Sequence, residues 1–282
     1  MKVALYTTAI REPSFTHRQV PPPGFMDYVA YDSMDADIAM ATPECAHWLI
    51  AERRQDQIPK VLFMQESRWL NDNVRDTELG LFDLIISNDK GILDIGGEYA
   101  TLVGTWITRT DVPPKSLMLS MIASRKAHPR VEGYNMRRKV SRDILPPSFS
   151  HGYGHLFHKP VKDKWEALAP YRFSIAIESE RYQWWHTEKL FDCFATKTVP
   201  LYWGCDDFSR LKSLGFDPNG IIPWNGLSDI ENCIQSLSEK QYLDLSDSIE
   251  ANFNAIRRFY CTEMLLEPIL RRRFAEALSV SN

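Results

Sequence analysis

The sequence predicts an α/β protein built from two doubly wound domains. Three observations predict it. Short apolar runs alternate with helical patterns through the first hundred residues, the rhythm of strands and helices in a parallel sheet. A later stretch, Tyr171–Gly204, reads YRFSIAIESERYQWWHTEKLFDCFATKTVPLYWG and contains a complete strand, polar loop, helix and strand. Between the two lies Val112-Pro113-Pro114, which can continue neither a helix nor a central strand, so the division is placed there, at residues 1–113 and 114–282.

In the first half, Lys2–Tyr6 reads as a buried strand, followed by a long polar loop, Thr7–Gly24, with Pro21, Pro22 and Pro23 in a row. Ala36–Ala41 is the next strand and Pro43–Arg54 a helix with proline near its start. Lys60–Gln65 (KVLFMQ) is a third strand, Asn71–Leu81 a helix, and Phe82–Ser87 (FDLIIS) a fourth strand. Glu66 sits just past the C-terminal end of a strand, the edge where open α/β sheets bind ligands, and is a candidate general base there.

The second half begins with a strand, Ser116–Ala123, followed by the most basic segment of the chain, Arg125–Arg142. Arginines at a helix start can grip a diphosphate, because the planar guanidinium holds two oxygens at once. Arg137, Arg138 and Lys139 are read instead as a solvated helix face. The run HGYGH at His151–His155 has histidines but no carboxylate or cysteine close by, so it is read as a structural turn and not as a metal site.

Within Tyr171–Gly204, the strand Tyr171–Ile177 ends at Glu178, and Thr187 is placed to cap a helix carrying Leu190, Phe191 and Phe194 on one face. The amino end of such a helix attracts phosphate, and Lys189 adds a full positive charge to it. Glu188 is placed to hydrogen-bond sugar hydroxyls, and Trp184 and Trp185 to stack on a base or sugar. The rest is predicted as a helix or loop over Asp206–Phe216, a short strand over Ile221–Trp224, and helices over Leu227–Ser238, Glu239–Phe253 and Phe259–Leu278, the last packing back across the first domain.

The runs F-S-I-A-I-E-S, W-H-T-E-K-L-F-D-C-F and T-V-P-L-Y-W-G from Phe173 to Gly204 resemble the signature of the α1,3-fucosyltransferases, glycosyltransferase family 10, with no gap between them. Two positions depart from the family pattern: Ser179 stands where the family has Asn, and Trp185 where an aromatic, often Tyr, is usual. The resemblance implies a GT-B fold, two Rossmann-like domains facing a central cleft, with acceptor bound by the first and nucleotide-sugar by the second. It implies inverting, metal-independent transfer from GDP-fucose as donor substrate to a hydroxyl of a glycan acceptor, without a tightly bound cofactor. It places Glu66 as the base, Arg130, followed by Tyr134, on the donor diphosphate with Lys189 and the helix end at Thr187, Trp185 and Ser179 on the nucleotide side of the donor, and Glu178 and Glu188 on the sugar, where Glu188 joins Glu66 as a catalytic candidate. The alternatives are another nucleotide sugar or a non-glycan acceptor on the same fold, or a non-catalytic module binding nucleic acid or carbohydrate.

Composition narrows these. The 282 residues are 44% hydrophobic, enough to bury a sizeable core, and the net charge of −4 with both signs mixed gives no reason to expect nucleic-acid binding. No apolar run reaches the roughly 18 residues of a membrane span. MKVALYTT turns polar too soon for a signal peptide, and five scattered cysteines suggest free thiols and a reducing, cytoplasmic setting.

Overall fold

The computed structural model of the chain describes residues 1–7, 26–30, 33, 35–52, 56–64, 74, 76–148, 150–259 and 261–280. The chain forms two compact units, Met1–Val103 with Cys261–Asn282, and Gly104–Tyr260.

The first unit carries strands β1 (Lys2–Tyr6), β2 (Asp27–Val29), β3 (Ile38–Ala41), β4 (Lys60–Met64), β5 (Leu84–Ser87) and β6 (Glu98–Tyr99), with short helices α1 (Ala46–Ala51), α2 (Asp76–Leu79) and α3 (Lys90–Asp94) between them. Among the described residues the strands form one parallel sheet in the order β2-β1-β3-β4-β5-β6. All four residues of β3 and of β5 are buried, as strands covered on both faces must be. Alternation divides them between two cores. Ile38, Met40, Val61, Phe63, Leu84 and Ile86 point to one face; Ala39, Ala41, Leu62 and Ile85 point to the other, where Cys45, Ala46 and Leu49 cover them.

The first face is covered from far along the chain. Helix α11 (Glu263–Arg273) buries Leu266 and Leu270 in the same core as Val3, Ile38 and Val61. Thr262 Oγ1 donates to the Val103 carbonyl at 2.7 Å, and the Tyr28 hydroxyl donates to Glu263 at 3.0 Å. The predicted return of the last helix to the first domain is therefore seen, and the second unit does not run to residue 282. The division after Pro113 is also displaced. By Thr105 the chain is already bonded into the second unit, where Thr105 Oγ1 and Trp106 N both donate to Asp192 at 2.7 Å. A proline pair marks where regular structure stops, not where the core changes.

The second unit carries β7 (Leu117–Ile122), α4 (Glu132–Lys139), β8 (Ser150–Tyr153), α5 (Lys164–Leu168), β9 (Tyr171–Ile177), α6 (Glu188–Ala195), β10 (Val199–Trp203), α7 (Ser209–Ser213), β11 (Ile222–Pro223), α8 (Leu227–Ser236), α9 (Glu239–Asp244) and α10 (Ser246–Ile256). Its described strands are parallel, in the order β11-β10-β9-β7-β8. The predicted helix Glu239–Phe253 is two helices: Ser238 caps the start of α9 by accepting from Gln241 N at 3.1 Å, and the chain leaves helical geometry at Leu245, where α9 ends and α10 begins. The predicted Phe259–Leu278 helix likewise breaks at Phe274, between α11 and α12 (Ala275–Val280).

HGYGH supplies an edge strand. Ser150–Tyr153 pairs with Leu119–Ile122, and the Tyr171 hydroxyl lies 2.7 Å from that of Tyr153 and 2.9 Å from His151 Nδ1. Among the described residues no group of three or more His, Cys, Asp or Glu side chains assembles to hold a metal. The five cysteines are free, and no described helix is long and apolar enough to cross a membrane.

Deleting a buried leucine side chain that closes a core costs about 2–5 kcal/mol. Leu266→Ala and Leu270→Ala are each expected to lower unfolding stability by that amount in urea titrations, although both residues are more than 160 positions from the strands they cover. Unchanged stability would show that the C-terminal helix does not close the first sheet.

Candidate active site

The chain winds outward from β7 in both directions: to β8 on one side, and to β9, β10 and β11 on the other. Side chains at the C-terminal ends of β7 and β9 therefore stand at a topological switch point, where open α/β sheets leave a crevice for ligands. Glu178 follows β9 at this point.

Glu178 is fully buried, and four groups converge on it. Thr187 N donates to Oε1 at 3.0 Å, Thr187 Oγ1 to Oε2 at 2.7 Å, and the Tyr202 hydroxyl to Oε1 at 3.3 Å. Lys189 Nζ completes the set at 3.1 Å from Oε2. Two glycines make room. A Cβ on Gly204 would lie 2.8 Å from Glu178 Cγ, and one on Gly133 would overlap the Glu178 carbonyl oxygen. Gly133 N also donates to the Ser179 carbonyl at 2.8 Å, which fastens the first turn of α4 to the loop.

This arrangement corrects two expectations. Thr187 does cap α6, but the negative charge at that helix end is already present as Glu178, which takes up the Thr187 N–H predicted for phosphate. Glu178 is enclosed by protein donors and faces no open space for a sugar hydroxyl.

The open groups lie one and two residues past Thr187. Glu188 keeps 18% side-chain exposure and Lys189 keeps 27%, 3.2 Å apart. Burial pulls the Lys189 pKa down, but the Glu178 and Glu188 carboxylates more than offset it, so the ammonium is held charged well above neutral pH. Glu188 is followed inward by an ion-pair chain: Lys164 Nζ lies 3.8 Å from Glu188 and 2.6 Å from the buried Asp192.

Among the other predicted residues, Arg130 is exposed in the turn ahead of α4, three residues before Gly133, and Ser179 is buried on the loop that Gly133 grips. Trp185 is 1% exposed, packed edge-on against Tyr182, so no flat face of it is open to a ligand. The partly exposed member of the pair is Trp184, whose backbone is left-handed at φ 63°; its indole N–H donates to Asp207 at 2.7 Å and Arg210 lies over its ring. Arg137, read from the sequence as solvated, is buried, with Nε and Nη2 donating to the Ile177 carbonyl at 3.1 and 2.6 Å. Its neighbours Arg138 and Lys139 are exposed as predicted. A one-residue shift around a helix changes the face by about 100°, which a uniformly basic run does not reveal. Glu66, the predicted base, lies outside the described residues.

His186 is wholly buried, stacked on Phe208 and 3.4 Å from the Tyr202 hydroxyl. Burial lowers its pKa to about 4, with Asp207 opposing the shift.

No family model matches the chain. A curated sequence relative is the alpha-(1,3)-fucosyltransferase FucT of Helicobacter pylori, 28% identical over 83 residues; the match covers 29% of this chain and only 16% of that protein. Among solved structures, an α1,3-fucosyltransferase superposes with a TM-score of 0.54 at 15% identity, covering 98% of this chain and 89% of its own. The DNA-modifying β-glucosyltransferase superposes with a TM-score of 0.53 at 10% identity, covering 98% and 100%. TarM gives 0.52 at 13%, covering 86% and 55%. The two parallel α/β units thus have the GT-B fold of glycosyltransferases. Within that class the chain is similar in sequence to an α1,3-fucosyltransferase over the aligned 83 residues.

Two outcomes test this geometry. Glu178→Ala leaves Lys189 without its buried counter-charge and is expected to cost about 3–5 kcal/mol of stability; a loss below about 1 kcal/mol would mean that the pair does not hold the loop. His186 stays neutral in the fold down to about pH 4, while the unfolded chain protonates it near 6.5. Its contribution is complete above about pH 6.5 and is lost as pH falls from there toward 4, at up to ~1.4 kcal/mol per unit. His186→Phe should flatten the stability curve in that window, and an unaltered slope would exclude His186 as its source.

Proposed function

We propose that the protein is an inverting glycosyltransferase that moves fucose from GDP-fucose to a hydroxyl of a glycan acceptor. The single observation that carries this reading is the partly open Glu188–Lys189 pair, locked to the end of β9 by buried Glu178 within a sequence resembling the fucosyltransferase signature. Solved α1,3-fucosyltransferases of the same fold hold GDP and GDP-fucose, which supports a nucleotide-sugar donor here.

In this reading the second unit takes the donor and the first the acceptor. As the bond between the anomeric carbon and the diphosphate oxygen breaks, negative charge grows on the diphosphate, and Lys189 and Arg130 supply the positive charge that stabilises it. The acceptor oxygen attacks the opposite face of the sugar, which inverts the centre, and its proton passes to Glu66. Glu188 holds sugar hydroxyls. Thr187, Glu178, Ser179 and Trp185 are buried and act from behind, fixing where Lys189 and Glu188 stand.

Thermal-shift screening against GDP, GDP-fucose, GDP-mannose, UDP-glucose and UDP tests the donor, since a ligand that binds only the folded state raises its melting temperature. GDP and GDP-fucose are expected to raise it and the UDP compounds to leave it unchanged; the reverse pattern would assign a different donor. Lys189→Ala and Arg130→Ala are each expected to lower fucosyl transfer by about 10²–10³-fold, the usual cost of a group that stabilises transition-state charge. Near-normal rates in both would reject the mechanism. Steeply salt-dependent nucleic-acid binding without nucleotide-sugar turnover would favour a binding module instead.

A further inference from the structure

The sheet leaves one acceptor at the switch point without a ladder partner. Glu178 N donates to the Trp203 carbonyl of β10 at 2.9 Å. The carbonyl of the same peptide, Ile177 O, must point the opposite way, toward β7. Pairing between β7 and β9 has ended by then, its last register being Met121↔Ile175. A buried carbonyl without a donor is costly. Arg137 supplies two donors, Nε at 3.1 Å and Nη2 at 2.6 Å, from the last turn of α4.

A neutral donor would satisfy that carbonyl. Arg137 instead brings a permanent charge, 6% exposed, into the crevice between the two strands. The electrostatic neighbours that act on it include Glu178 and Glu188, and Arg137 in turn acts on Lys189. Burial opposes the charge, and the helix that carries it is anchored by Gly133 to the same loop. Glu178, Glu188 and Asp192 stand against Lys189, Lys164 and Arg137, three negative charges and three positive. Without Arg137 this cluster would carry a net negative charge and would repel a diphosphate.

We infer that Arg137 is a positioning residue of the donor site: its fork fixes the 177–178 peptide from which Glu178 holds Lys189, and its charge makes the crevice tolerant of a diphosphate. The inference rests on the donor reading above and adds to it a cation that the fucosyltransferase-like motif does not include.

Calorimetric affinities of the full chain for a nucleoside diphosphate and for its nucleoside separate this from a merely structural role. The probe is GDP with guanosine, or UDP with uridine if the wild type takes UDP. Arg137→Met is expected to weaken the diphosphate about tenfold or more, the scale of one lost charge-assisted interaction, and to leave the nucleoside within about twofold. Arg137→Lys, which keeps the charge, is expected to recover most of that loss. If the Met variant does not fold, Arg137→Gln keeps a donor for Ile177 and removes only the charge, and the same comparison applies. Equal losses for diphosphate and nucleoside, or no loss for either, would overturn the inference while leaving the donor assignment intact. A wild-type protein that binds neither diphosphate would overturn the donor assignment and this inference together.

Discussion

Glu178 accepts from Thr187 twice and from Tyr202 and pairs with Lys189, while its own side chain is wholly shut off from water. A carboxylate in that position is tolerable only if every lone pair is met and a cation lies beside it. The requirement fixes much else. It fixes where α6 begins, because Thr187 must present both its backbone and its hydroxyl. It requires glycine at 204 and at 133, because side chains there would collide with Glu178. It holds the Lys189 ammonium at the edge of the crevice rather than free in solvent. The polar loop between β9 and α6 is thereby tied down at both ends.

Charge continues from that point in two directions. Through Glu188 and Lys164 it reaches Asp192, which receives Thr105 and Trp106 at the start of the second unit. On the other side it reaches Arg137 and, through α4, the turn that carries Arg130. Buried partners hold Lys189 and Arg137 in place. Not every arginine of the basic segment is held in this way. Arg142, for instance, pairs with its neighbour Asp143 in solvent, an arrangement of little energetic consequence.

Most of the fold was legible from periodicity. β1, β4, β5, β7, β9 and β10 fall where apolar runs placed them, because strands covered on both faces leave uninterrupted hydrophobic sequence. The strands that periodicity does not mark, β2, β6 and β8, are short or at an edge, where a strand needs little apolar sequence. Within the site, Thr187 as the cap of α6 followed from local spacing. Trp185 and Glu178 were expected to face a ligand and face the interior instead.

Hydrophobic period and capping are local properties carried by neighbouring residues, and they are enough to mark an α/β chain with a strand–loop–helix–strand unit at Tyr171–Gly204. Which charges are buried is settled by contacts between distant segments. Arg137 and Arg138 are adjacent in one basic run, yet one lies 6% exposed against the end of β9 and the other is in solvent. That difference depends on a carbonyl left unpaired 40 residues away, where one strand outlasts its neighbour, and no local pattern records it.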